Sequence, residues 1–261
     1  TVNSVSLVGA IFVMSVVTLS SYYNCNAAKR LSFRLSMWIA FADAIFCCMS
    51  YLSVDPVKRI LECNIINAVG YISNLTLIFL TVCMAFNLQM VFVKQQHNPR
   101  LTEKFYVTTS FLAAFIIIVP FTVIAIAMDS CTIFPLVQLP YNLIFFWIMI
   151  GIWEVVGVLY CSITIIKVVL KLTPSPTVDR ISDSIQSRVE QVVRRLIFYP
   201  LIPVLTQSPY VIAANLSLIN GKKTLLERYI YYVPSYSAGI LNAVVFLFDP
   251  ALPEIWKDFK T

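Results

Sequence analysis

The 261 residues are 59% hydrophobic and only 12% charged, against roughly 45–50% and 25% in ordinary soluble domains; the balance excludes a soluble domain and marks a membrane protein. The formal net charge of +6 is spread over short loops. It therefore reads as a topology signal, with no footprint for a nucleic-acid polymer.

Seven apolar windows follow one another, near residues 5–24, 33–54, 64–93, 105–128, 141–170, 192–217 and 229–248. Each meets the ~20 residues that a bilayer-spanning helix needs. A β-barrel would show ~10-residue alternating segments instead, so helical spans are left as the way to satisfy the backbone in lipid. The first window lacks a basic leader and a small-residue cleavage site, and reads as a true span.

The second window carries Asp43 within MWIAFADAIF, and the third opens near Cys63 and runs past Asn67, Tyr71, Ser73 and Asn74 to Gln89. His97, the one histidine, lies in the polar QQHNPR loop, and Cys131 follows the fourth window. The fifth window holds Glu154. The connection KLTPSPTVDRISDSIQSR at 171–188 opens with a helix-breaking Thr-Pro-Ser-Pro. From Val189 the apolar spacing resumes as VEQVVRRLIFYPLIP, so the sixth helix is expected to begin before the membrane. After the seventh window, ALPEIWKDFK at 251–260 sets Leu252, Ile255, Trp256 and Phe259 at helical spacing, the pattern of an amphipathic interfacial helix. The expected fold is an all-α membrane protein: one domain over 1–261, a seven-transmembrane helix bundle closed by that short helix.

Of the 19 Lys and Arg, five (Lys58, Arg59, Lys222, Lys223 and Arg228) fall on one side of such a bundle, leaving fourteen on the other. The positive-inside rule then puts the N-terminus outside and the C-terminus in the cytosol. Five of the seven cysteines fall within helices or at the cytosolic rim, where a thiol is a small hydrophobe. Cys63 and Cys131 both face the oxidising side. A bridge between them would pin the loop after the fourth span over the outer mouth, with two free thiols as the alternative.

Enzyme chemistry finds little support. With one histidine and no clustered thiols there is no zinc ligand set, and no metal or other cofactor is expected. A retinal protein needs a lysine in the bundle, and Tyr229 to Phe248 contains none. Polar groups in lipid remain. A charge near mid-membrane costs at least ~2.5–3.5 kcal/mol on insertion scales, so Asp43 should face the interior with Asn242 as its partner, within hydrogen-bond or one-water reach. Ser73, Asn74 and Ser237 could complete a pocket for water or a cation; the alternative is an acid that only glues helices together. Glu154 could read a ligand, exchange a proton or make an interhelical hydrogen bond. Asn67, Tyr71, Asn74, Gln207, Tyr210, Tyr232, Ser235 and Tyr236 could converge on a small-ligand cavity, although interfacial aromatic belts compete for Tyr229, Tyr231 and Tyr232.

The seven spans, the Cys63 to Cys131 pairing, the Ala-Asp of the second span and the closing GILNAVVFLFDP resemble G-protein-coupled receptors over the whole chain. Asn242 takes the Asn position of the helix-seven motif, with Ala243 where Pro is usual and Phe246 where Tyr is usual. Asn87-Leu88-Gln89 and Thr206-Gln207-Ser208-Pro209 depart from the rhodopsin-like pattern. LTEKFY, RRLIFYPLIPVL and LNAVVFLFDPALPEIWKDF look more like the cAMP-receptor-like and fungal glucose-sensing receptors. The resemblance implies a plasma-membrane receptor for an extracellular cyclic nucleotide or sugar-like ligand that activates a heterotrimeric G protein. Gln89, Arg194 and Arg195 are the candidate G-protein contacts, and the two arginines read equally well as snorkelling topology charges. A secondary transporter with a midplane site is the competing class, and no repeated halves favour it.

Overall fold

The computed structural model describes residues 2–23, 31–53, 59–93, 99–131, 141–172, 198–220, 229–230, 233–234, 236–248 and 252. Among them the secondary structure is helical, with no strand. In order come α1 (Val2–Tyr22), α2 (Leu31–Leu52), α3 (Ile60–Val93), α4 (Pro99–Ala127) and α5 (Tyr141–Phe146). A π-helical turn (Trp147–Gly151) then joins α5 to α6 (Ile152–Leu172) without a break, and α7 (Phe198–Asn220) and α8 (Ala238–Leu247) follow.

Among the described residues, five helices are long and apolar enough to cross a membrane: Val2–Tyr22, Leu31–Leu52, Ile60–Met90, Glu103–Ala127 and Leu143–Leu170. Leu201–Leu216 and Ala238–Leu247 are shorter apolar helices. The chain is thus a multi-pass helical membrane protein by length and composition. Of the expected sixth window, Phe198 onward is helical, and 192–197 lies outside the described residues. Of the seventh window, Ala238–Leu247 is the long regular stretch.

α3 is the axis of the bundle. Of its membrane window 61% is buried, against 22–44% for the other four long helices, and α2, α4, α6 and α7 all pack on it. One apolar cluster joins α1, α2 and α8 through Ala10, Val13, Phe33, Ala40 and Phe246. The rings of Phe33 and Phe246 lie 5.2 Å apart between centroids. Leu252 belongs to the same cluster, and the rest of the expected 251–260 helix lies outside the described residues. A second cluster fills the space between α3, α4, the π turn and α7, and a third joins α2, α3, α4 and α7.

Two glycines set how closely helices approach. A Cβ on Gly9 would lie 2.9 Å from the Gly239 carbonyl oxygen, so α1 and α8 touch backbone to backbone. A Cβ on Gly157 would lie 2.9 Å from Ile78 Cγ2, which brings α6 hard against α3. The α4 terminus turns back through Asp129, at φ 48°. Its bonds from Ser130 N–H to the Ala125 carbonyl and from Asp129 N–H to the Ile126 carbonyl form the Schellman pattern that ends many helices.

Candidate functional site

That turn delivers Cys131 to the start of α3. The Cα atoms of Cys63 and Cys131 are 5.6 Å apart, at disulfide distance. Asn64 Nδ2 donates to the Ser130 carbonyl at 2.7 Å, and Asn67 Nδ2 donates to the Cys131 carbonyl at 3.1 Å. Asn67, expected in a ligand cavity, therefore holds the segment after α4 against α3.

Deeper in the bundle Glu154 is fully buried. Asn74 Nδ2 donates to its Oε1 at 3.2 Å, and Gln207 Nε2 donates to Asn74 Oδ1 at 3.4 Å. One hydrogen-bonded chain thus ties α6 to α3 and α3 to α7. The close approach at Gly157, one turn along α6, makes the first bond reachable. Glu154 Oε2 has no partner. Buried polar atoms are nearly always bonded, so this oxygen is the open valence of the site. Tyr210, buried on α7, and Tyr71, half-buried on α3, belong to the apolar cluster alongside. Immediately before α6, Trp147 Nε1 donates to Asn215 Oδ1 on α7 at 2.9 Å.

Asp43 lies in a separate polar group. Gly239 N–H donates to Ser6 Oγ at 2.9 Å, and Ser6 Oγ donates to Asp43 Oδ2 at 3.4 Å, joining α8, α1 and α2. Cys47 Sγ, one turn along α2, donates to the same oxygen at 3.9 Å. Gly239 is in the first turn of α8, where backbone N–H groups lack intrahelical partners; Ser6 supplies one from another helix. No direct hydrogen bond joins Asp43 to Asn242, whose buried Nδ2 has no partner. Ser73 donates to its own helix at Val69, and Ser237 to Pro234. Asn74 belongs to the Glu154 group. The polar residues expected in one pocket around Asp43 divide, Asp43 bonding with Ser6 and Cys47 and Asn74 with Glu154 and Gln207.

The remaining expected ligand residues divide. Tyr236 packs its ring on Phe46, with centroids 5.8 Å apart. Tyr232 and Ser235 lie outside the described residues, as do Arg194 and Arg195. Gln89 Oε1 accepts from Tyr160 OH at 3.1 Å, linking α3 to α6. Between α2 and α4, Arg34 Nη2 pairs with Glu103 Oε2 at 2.7 Å, and Trp38 Nε1 donates to Glu103 Oε1 at 3.4 Å. Arg34 is one of the fourteen basic residues counted to the cytosolic side, and the count carries no sign of its partner.

No family model matches the chain, and no curated protein matches it.

Proposed function

We propose that the chain is a seven-span receptor of the plasma membrane that binds a small extracellular ligand and activates a heterotrimeric G protein. The observation that carries this reading is the Gln207–Asn74–Glu154 chain, which couples three helices at mid-depth while leaving one carboxylate oxygen unpartnered. A donor brought by a ligand competes for these atoms and changes which helices are tied together. The outer pin at Cys63 and Cys131 holds α3 and the end of α4 fixed while this happens. α7, the sixth span, contains Pro203 and Pro209; each removes a backbone hydrogen bond and permits bending there. Bending opens a cytosolic cleft beside Gln89, Arg194 and Arg195. Ligand and G protein each favour the open packing, so their affinities are coupled through one bundle equilibrium.

The test is nucleotide exchange by a heterotrimeric G protein added to the purified chain in lipid nanodiscs, with panels of cyclic nucleotides and sugars first ranked by thermal shift. A ligand that raises the melting temperature should also accelerate exchange. Replacing Arg194 and Arg195 with Gln should abolish that acceleration while ligand affinity without G protein stays within a few-fold. A folded chain whose ligand changes neither basal nor stimulated exchange rejects the receptor reading.

A further inference from the structure

The helix that begins at Tyr141 departs from α geometry at Trp147–Gly151. There the Ile152 N–H bonds to the Trp147 carbonyl, five residues back, and not to the Ile148 carbonyl that it would meet in an α-helix. Trp153 Nε1 donates to the Ile148 carbonyl at 2.9 Å. Because π turns are rare on their own, contacts outside the backbone must hold this one. Two of them reach other helices. Trp147 Nε1 donates to Asn215 on α7, and Glu154 Oε1 accepts from Asn74 on α3. One residue corresponds to about 100° of rotation, so an α form of the same sequence would turn Trp147 and Glu154 to one side, where the two bonds cannot be made together. Gly151 adds a constraint of its own. A Cβ there would lie 2.9 Å from Trp147 Cε3 and 3.2 Å from Phe146 Cε1, so both rings lie across bare backbone.

The two flanks of the turn are held unequally. α6, 21 residues long, is fixed to α3 by the Glu154 bond, by the close approach at Gly157 and by the bond from Tyr160 to Gln89. α5 has six residues, and its rings pack from Phe145 to Phe121 and from Phe146 to Tyr210. We propose that Trp147–Gly151 is a conformational switch: the turn relaxes from the π to the α form, and Tyr141–Trp147 rotates by about 100° against a fixed α6, releasing Asn215. Whatever takes Asn215 from Trp147 favours the α form. The switch belongs to the backbone of this helix and does not rest on the receptor reading.

The test is fluorine NMR of the chain in lipid nanodiscs, with fluorotryptophan at its four tryptophans and the Trp147 signal assigned by its loss in Trp147→Phe. Trp147 should give a major and a minor line. Asn215→Leu removes the acceptor on α7, and Trp153→Phe removes the donor to the Ile148 carbonyl. Each should raise the minor-to-major ratio about threefold, and by no more than ~20-fold, the range of one hydrogen bond in lipid. Gly151→Ala crowds the Trp147 ring and should move the ratio the same way; the other two variants decide the matter if this one fails to fold. A single Trp147 line in both the parent and Trp153→Phe overturns the proposal, whatever Asn215→Leu does to its position, because losing a bond to Asn215 shifts that signal locally. Two lines whose ratio is the same in the parent, Asn215→Leu and Trp153→Phe overturn it as well.

Discussion

Ser6 and Gly239, separated by 233 positions in the chain, share one hydrogen bond that caps α8 from α1. There is no room at Gly239 for a side chain: a Cβ would lie 2.6 Å from both the Ser6 carbonyl oxygen and the Ser6 hydroxyl, and would also run into the Asp43 carboxylate. Gly239→Ala should destabilise the bundle by ~1–3 kcal/mol, the usual size of an overpacking strain. Ser6→Ala should cost ~1–2 kcal/mol by leaving the Gly239 N–H unbonded. Equilibrium unfolding in mixed detergent measures both. A Gly239→Ala chain as stable as the parent would mean that α1 and α8 do not meet as described.

The Asn74 to Glu154 bond calls for a double-mutant cycle. Leucine at either position removes it, and the coupling between the two changes should be about 0.6 kcal/mol, with an upper bound near ~1.7. Glu154→Gln retains an oxygen that can accept from Asn74. It should therefore cost less than Glu154→Leu. Equal losses for Gln and Leu, or zero coupling, would remove the bond from the site.

Peptide mapping without reduction should recover a linked peptide containing Cys63 and Cys131. Of the seven cysteines, the other five should alkylate once the chain is unfolded. Replacing both Cys63 and Cys131 with Ser should lower stability by ~2–4 kcal/mol, because the bridge closes 68 residues of chain. Seven alkylatable thiols in unreduced protein would show that the pair stands close without bonding.

At the other end of the bundle, Arg34 and Glu103 should contribute unequally. The Arg34 side chain is 45% exposed, so Arg34→Gln should cost less than ~1 kcal/mol and lose even that in high salt. Glu103→Leu also strips Trp38 Nε1 of its acceptor and should cost ~1–2 kcal/mol at any ionic strength. Thermal unfolding at two salt concentrations separates the contributions. A salt-independent Arg34 effect would be inconsistent with a solvent-screened pair.

Apolar continuity makes the helices legible in the sequence, and an acid within such a window must face inward, so Asp43 and Glu154 identify themselves as interior residues. Their partners do not. Ser6 carries no mark that separates it from Ser15 or Ser20, which bond only within α1. Asn67 and Asn74 lie on one face of α3 by spacing alone, yet Asn67 is drawn to the turn after α4 and Asn74 to α6. A helical repeat records which residues share a face. It carries no information about which neighbour that face will meet, and for Asp43 the neighbour is Ser6, bonded in turn to the backbone of Gly239.

The π turn carries a consequence for the rod that contains it. Trp147 and Glu154 are seven positions apart, and in a regular α-helix residues so spaced return to nearly the same side. A π turn takes in one extra residue, and one residue is worth about 100° of rotation. Trp147 consequently engages Asn215 while Glu154 engages Asn74, like two cams keyed at different angles on one shaft. Their phase depends on a single residue. Deleting one position between Trp147 and Gly151 would re-key the lower cam without altering its composition, and chains aligned along this rod fall out of step by one place at the turn even where their chemistry agrees.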